Sequence, residues 1–274
     1  MTIISISRGS LAGATFVAEQ LASDLKIPCV SREVIVRAAR EGGINEEKIT
    51  EQVDAPPSSL FNNYARERDV YLWYLRSALC QHALAGSYVY HGNGGHLLLA
   101  NMATLLRVNI VAPMEYRCKA VMADQGFDLK AAERYIHNID KWRGKWVRHL
   151  YGVDWRDPSL YDLVINLEKL DVKEACELIS QAAKLPRFAH NDEAQQEISN
   201  AALVSRVSAE LAKSGELFTS QLDLSAENNV LTISGKARSG DACKAIERVA
   251  KYAVGEAKLR FEVEAAMDEV SWQV

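Results

Sequence analysis

Apolar and polar positions alternate with two different periods along this chain. Thr2-Ile3-Ile4-Ser5-Ile6-Ser7 alternates β-branched with small residues, which predicts a buried first strand. A glycine-containing loop, Arg8 to Gly13, follows. From Thr15 to Leu25 the apolar residues Phe16, Val17, Leu21 and Leu25 fall at helical spacing. Ile27 to Ser31 reads as a short second strand interrupted by Pro28, and Arg32 to Arg40 as a helix. Pro56-Pro57 breaks the chain before a long helical pattern over residues 58–84, with aromatics at Phe61, Tyr64, Tyr71, Trp73 and Tyr74. That aromatic run is expected to serve core packing. Ser87–His91, Arg107–Ala112 and Leu163–Leu167 read as further strands, with helical patterns between them.

Strands that alternate with helices predict an α/β domain, a parallel sheet flanked by helices on both faces. Ligands of such sheets bind at the carboxyl ends of the strands. The loops at Arg8–Gly13, Ser31–Glu33 and Gly92–His96 leave such ends and are expected to neighbour one another. After Leu185 the pattern changes. Residues 186–197 read as a polar linker between a first domain, 1–185, and a second, 198–274. The second carries an amphipathic helix (198–213), two strands (218–224 and 230–234) joined by Ala226-Glu227-Asn228-Asn229, a helix (241–254) and a last strand (257–263). The order αββαβ predicts a small α+β domain with helices on one face of its sheet.

Composition narrows the class. Over 274 residues, 48% hydrophobic and 25% charged content fits a globular protein rather than a disordered one. A net charge of −4 gives no global sign of nucleic-acid binding, so any basic site is local. No stretch approaches the roughly 18–20 apolar residues of a membrane span. The N-terminus lacks the pattern of a signal peptide. Cys29, Cys80, Cys118, Cys176 and Cys243 are scattered and odd in number, without a C-x-x-C pair. They read as reduced thiols, and the chain is expected to be cytoplasmic.

A strand, a glycine loop and a helix can form a phosphate site. Small residues let the backbone approach the anion, several N–H groups point at it, and the helix dipole favours negative charge. Arg8-Gly9-Ser10-Leu11-Ala12-Gly13-Ala14-Thr15 has that context, although it departs from G-x-x-x-x-G-K-[ST] and alone is equally a plain turn. Lys130, Arg134, Lys141, Arg143, Lys145, Arg148 and Arg156 make a basic segment in an otherwise acidic chain. That segment is either a solvated face or an anion clamp, and Asp140 with Arg143 is either a surface pair or part of a site. His91 and His96 flank the glycine cluster, but spacing supplies no third metal ligand. Ser10 lacks the G-x-S-x-G context of a hydrolase nucleophile. His137 and His149 read as packing residues near the basic segment.

Ordered stretches over residues 1–185 then carry a resemblance. They are Ile4-Ser5-Ile6-Ser7-Arg8-Gly9-Ser10, Ile27-Pro28 with Ser31-Arg32-Glu33, Val89-Tyr90-His91-Gly92, Gly94-Gly95-His96, and Val108 to Ala112 with Arg117. Ile139-Asp140-Lys141-Trp142-Arg143, Tyr151-Gly152-Val153-Asp154-Trp155 and Tyr161-Asp162-Leu163-Val164-Ile165-Asn166 complete them. This region resembles the cytidylate kinase-like family of P-loop kinases. The resemblance implies transfer of phosphate from ATP to a nucleoside monophosphate such as CMP, with Mg²⁺. It implies that Gly9, Ser10, Gly13, Ala14 and Thr15 hold the donor phosphates. Arg32, Asn93 and Arg117 would meet the acceptor. Asp140, Arg143 and Arg148 would act from a lid-like helix. Two cations of related kinases are missing: Ala14 stands at the P-loop lysine, and Asn93 follows Gly92 in place of arginine. The alternative is a degenerate kinase-like domain that senses a nucleotide or anion. Residues 198–265 resemble the BON domain, on Leu203 to Val207 with Leu211, Asn229 to Gly235, Ala242 to Tyr252 and Val254 to Ala257. That resemblance implies association with a membrane or binding of a ligand; the plain reading of the same residues is a small interaction or dimerisation module for a protein partner or a second copy of the chain.

Overall fold

The computed structural model describes residues 2–8, 11–31, 40, 61–92, 94–100, 102–189 and 191–266. Contacts divide the chain into two compact units, one built on Met1–Ile35 and Ala85–Ala194, the other on Phe61–Leu84 and Gln195–Val274.

The first unit is organised by a parallel sheet. Its strands are β1 (Ile3–Arg8), β2 (Cys29–Val30), β3 (Tyr88–His91), β4 (Leu105–Val111) and β5 (Leu163–Asn166), in the order β2-β3-β1-β4-β5. All four pairings are parallel. The strands lie where the alternating pattern put them. Helices α1 (Ala14–Leu25), α3 (Gly95–Leu98), α4 (Met114–Gln125), α5 (Leu129–Tyr151) and α6 (Val172–Ala183) belong to this unit, and α2 (Phe61–Ala85) runs between β2 and β3 in the chain. The helix expected at 32–40 lies outside the described residues, apart from Arg40.

Strand β1 sits at the centre and its two faces differ in kind. Ile4 and Ile6 join Val89, Leu106, Val108, Ile110 and Ile165 in an apolar layer covered by α1 and α6, through Val17, Leu21, Ala175, Cys176 and Ile179. The opposite face carries Ser5 and Ser7. The register pairs Ser5 with Tyr90 and Arg107, and Ser7 with Asn109. Ser5, Ser7, Tyr90 and Asn109 are all buried. Against this face stands His96 on α3, only 2% exposed. Gly95 lets it approach: a Cβ there would fall 2.3 Å from the Tyr90 ring and 3.0 Å from Ser5 Oγ. Among the described residues neither His96 nitrogen has a hydrogen-bond partner. Burial, reinforced by the charge of Arg107, lowers its pKa from 6.5 to about 4.

Cys80, Cys118 and Cys176 are buried, Cys29 and Cys243 half-buried, and all five are free thiols. Burial pushes the Cys80 and Cys176 thiols up to about 11, so both are protonated at neutral pH.

The second unit holds α2, α7 (Asp192–Ser214), α8 (Glu216–Thr219), β6 (Gln221–Glu227), β7 (Val230–Ala237), α9 (Gly240–Ala253) and β8 (Lys258–Ala265). β6 and β7 form an antiparallel hairpin through Asn228 and Asn229, both at positive φ, and β8 joins β7 in parallel after α9. This is a second, smaller sheet-and-helix region in the expected αββαβ order, with a short extra turn of helix. Its core is apolar: Leu203, Val207 and Leu211 of α7 meet Leu231 and Ile233 of β7 and Ile246 and Ala250 of α9. Helix α7 starts earlier than its apolar pattern suggested, at Asp192, because the Asn191 side chain accepts from Ala194 N at 2.7 Å. Much of the stretch read as linker is therefore helical. In α2, buried Tyr74 donates to Glu210 Oε1 of α7 at 2.7 Å, and Cys80 Sγ lies 3.9 Å from Ser205 Oγ. Tyr74 thus packs as expected; the side chains of Phe61, Tyr64 and Tyr71 lie outside the described residues.

His96 yields a stability prediction with a definite sign. Its folded pKa lies below its unfolded value, so the unfolded chain binds the proton more readily and stability falls as pH drops below 6.5 towards 4. Between about pH 7.5 and about pH 5 the loss is about 2 kcal/mol. Urea midpoints at the two pH values should show this loss in the wild type and a correspondingly smaller one in His96→Leu. Equal pH dependence in both proteins would show that His96 does not carry it.

Candidate functional site

The candidate phosphate loop begins at the end of β1. Gly9 and Ser10 lie outside the described residues. Beyond them, Leu11 has φ 60°, a left-handed conformation that costs a branched residue about 1–2 kcal/mol. Packing offsets that cost: Leu11 rests on the apolar cluster of Cys118 and Val121 from α4 with Ala132 and Ile136 from α5. Gly13 follows at φ 85° as the N-cap of α1. A Cβ at Gly13 would sit 3.1 Å from Leu167 Cδ1 and 3.3 Å from Tyr116 Oη, so both backbone angle and space call for glycine. Ala14 is buried in the α1 core, Thr15 is half-exposed, and Phe16 is 68% exposed. The first turn of α1 carries no charged side chain.

Helices α4 and α5 form the second part of the site. The Asp128 side chain caps α5 by accepting from Ala131 N at 2.7 Å, and Gly152 ends it at φ 69°. Ala132, Ile136 and Val147 form the buried stripe of α5. Asp140 lies in line with them, and Arg117 Nη2 of α4 donates to both its oxygens at 2.9 and 2.8 Å. Asp140 thus has a partner 23 residues away in sequence, beyond the reach of i,i+3 reasoning. The side chains are only 12% and 22% exposed, so the pair bonds the two helices where solvent screening is weak.

The neighbouring face of α5 opens on a cleft of about 830 Å³. His137, Lys141, Lys145 and Arg148 follow one another at i,i+4 and i,i+3 spacing along its wall. Met114, Asp140, Gly144 and Arg156 also line it, so that among the described residues four cations face one carboxylate that Arg117 already engages. Asp154 restrains two of the cations: Arg148 reaches it at 3.3 Å and Arg156 at 3.1 Å. Hydrogen bonds from the Arg156 side chain and backbone hold the Asp154 carboxyl below its usual range. Both guanidiniums are well exposed and the carboxylate is about a third exposed, so the ion pairs open at little cost.

Arg143 lies apart from that wall. Its guanidinium carbon is 5.5 Å from the centre of the Trp155 ring. Trp155 is buried, as is Tyr161, whose hydroxyl donates to Trp155 O at 2.6 Å.

Among the residues singled out in the sequence, the structure brings Gly13, Ala14 and Thr15 to one helix start. Arg117 and Asp140 form one ion pair, while Arg148 faces the cleft and Arg143 packs on Trp155. Gly9, Ser10, Arg32 and Asn93 lie outside the described residues. The sequence reading named Lys141, Lys145 and Arg156 within the basic segment without placing them on one cleft wall, and it did not identify Leu11 and Tyr116 as the link between parts. Helical spacing offered a signal for the first two. Nothing in the local sequence marks Leu11 or Tyr116, whose role depends on contacts with distant segments. That link matters: Leu11 of the loop and Met114 of the cleft pack on the same cluster, and Tyr116, two residues after Met114, lies against Gly13.

Chemically, a glycine-opened helix N-terminus beside a cationic cleft suits a phosphorylated ligand. No helix among the described residues is long and apolar enough to cross a membrane.

Known proteins resemble this chain in sequence and in fold. The cytidylate kinase from Methanopyrus kandleri is 28% identical over 181 residues, 66% of this chain and 92% of that protein. The cytidylate kinase from Staphylothermus marinus is 26% identical over 182 residues, 66% of this chain and 96% of its own length. Among solved structures, an uncharacterized protein from Eubacterium ventriosum matches with a TM-score of 0.52 at 22% identity, covering 67% of this chain and 98% of that one. The first unit thus shares with that protein an α/β fold, a parallel sheet flanked by helices. The profile of the cytidylate kinase-like family matches residues 3–169, well over half of the 274, and the chain therefore belongs to that family.

Proposed function

We propose that this chain binds ATP with its phosphates at the Gly9–Thr15 loop and transfers the γ-phosphate to a nucleoside monophosphate such as CMP. The observation that carries this reading is the packing of Leu11 and Tyr116, which ties the glycine loop to the cationic α4–α5 hairpin. Phosphoryl transfer asks the protein mainly to position reactants and neutralise charge, and that pairing of parts suits both tasks. In this reading the first N–H groups of α1 meet the donor phosphates. Arg143 and Arg148 stabilise the charge that develops during transfer, and Arg32, Asn93 and Arg117 serve the acceptor. Asp140 holds Arg117 in place. The half-exposed Thr15 hydroxyl would help to hold Mg²⁺, which would supply charge neutralisation at the nucleotide phosphates. Restoring a lysine at position 14 is a poor remedy for the missing cation, because Ala14 is only 2% exposed and its side chain belongs to the α1 core.

The uncharged first turn of α1 favours a second reading, in which the domain binds a nucleotide without turning it over. Residues 198–274 are read in either case as a BON-like interaction module for a protein partner or a second chain, and residues 186–197 as the junction of two domains.

Calorimetry with ATP, with CMP, and with both plus Mg²⁺ separates the readings from a protein that binds neither. Gly13→Val should weaken ATP binding about tenfold or more, since a side chain there pushes Tyr116 and Leu167 and forces the backbone out of φ 85°. Unchanged ATP affinity in a folded variant would reduce the loop to a turn. Arg143→Ala should lower the rate of CDP formation about a hundredfold while changing ATP affinity by less than about threefold, because its charge counts most in the transition state. Nucleotide binding without CDP, at any enzyme concentration, would favour the second reading.

A further inference from the structure

We propose that Tyr161 and Trp155 are positioning residues, a buried strut that ties Arg143 of α5 to the end of β1 and to the start of α3. This rests on the reading of Arg143 as a transfer residue given above. The contacts form a continuous line. Arg143 lies over the Trp155 ring at 5.5 Å. The Tyr161 hydroxyl donates to Trp155 O at 2.6 Å, and the same oxygen lies 3.3 Å from Ser7 Oγ. The Tyr161 ring stands 4.7 Å from the His96 ring. Ser7 is the penultimate residue of β1, two positions before Gly9, and His96 follows Gly92, Gly94 and Gly95. One phenol therefore touches the strand that leads into the glycine loop, the start of α3, and the carbonyl of the residue on which Arg143 rests.

The physical case is one of scarcity. The segment from Gly152 to Asp157 has no regular structure and is followed by a single 3-10 turn, Pro158–Leu160, before β5. Asp154 within it bonds to Arg148 and Arg156 at the solvent edge, where ion pairs hold geometry weakly. The Tyr161–Trp155 bond lies in the interior, with Trp155 5% and Tyr161 7% exposed, and a short buried hydrogen bond fixes position far better. The indole lies close to α5 at Gly144, where a Cβ would stand 3.5 Å from Trp155 Nε1, an ordinary contact distance. An arginine that must meet a transferring phosphoryl group within a fraction of an ångström needs such a support, because small misplacements cost large factors in rate.

The test is a double-mutant cycle on the full chain with Tyr161→Phe, Arg143→Ala and both. Phenylalanine keeps the ring against His96 and removes only the hydroxyl. Tyr161→Phe should lower kcat for CMP phosphorylation about tenfold with KM for ATP within about twofold, and should cost less than about twofold further in the Arg143→Ala background. Amide hydrogen exchange without nucleotide gives an arm independent of turnover: Tyr161→Phe should accelerate exchange across residues 140–148 and 152–157 while the rest of the first unit keeps its protection. Full additivity of the two rate effects would overturn the proposal. So would unchanged exchange in those segments, or acceleration spread over the whole unit. A wild type that makes no CDP sinks the kinase reading, and the exchange arm then decides on the strut alone: localised acceleration sustains it and any other pattern overturns it.

Discussion

The central strand of the sheet has to satisfy two incompatible surroundings at once. Ile4 and Ile6 face an apolar layer, whereas Ser5 and Ser7 face a buried layer of hydroxyl, amide and imidazole groups. In an ordinary doubly covered parallel sheet both faces are apolar, since each is shielded from water by helices. Here the second face keeps polar side chains in the interior, which has a cost wherever a partner is lacking: Ser5 Oγ, Asn109 Oδ1 and both His96 nitrogens have none among the described residues. Much of the rest follows from accommodating that layer. Gly95 brings α3 close, His96 stays neutral, and Tyr161 spans from the layer to the segment behind α5.

A second constraint orders the charges. The chain is acidic as a whole, with a net charge of −4, yet it gathers cations along one helix. Two carboxylates keep that gathering in order by different means. Asp140, half-buried against Arg117, joins α4 to α5 and is a structural tie. Asp154 sits at the solvent edge, where an arriving phosphate can compete for Arg148 and Arg156 at small cost. A cleft whose cations are loosely held is ready for an anionic ligand, whereas one whose cations were locked into buried pairs would have to break them first.

Much of the fold was legible because its signals are local. The alternation in Ile3–Ser7, the helical spacing of Val17 and Leu21, and the Asn228-Asn229 turn each depend on neighbours within a few residues. The early start of α7 was missed because a lone Asn191 cap in a polar stretch is a weak signal beside the apolar pattern that begins at Ile198. Tertiary facts were out of reach. That Tyr74 would bond Glu210, that Arg117 would hold Asp140, and that a leucine in the glycine loop would anchor it to α4 and α5 depend on contacts across 23 to 136 residues. The position of Ala14 shows the limit of register arguments: counting along the loop aligned it with a phosphate-binding lysine, while the helix turns it into the core. The missing lysine is thus a matter of which way α1 faces as well as which residue is written there.

The claim that joins these parts is that the glycine loop and the cationic hairpin act together on a phosphoryl group. A single-turnover experiment tests it most directly: enzyme in excess over ATP labelled in its γ-phosphate, with CMP and Mg²⁺, quenched over time. The account predicts that the label moves from ATP to CDP. Label that stays in ATP, in a protein shown by calorimetry to bind both nucleotides, would contradict it.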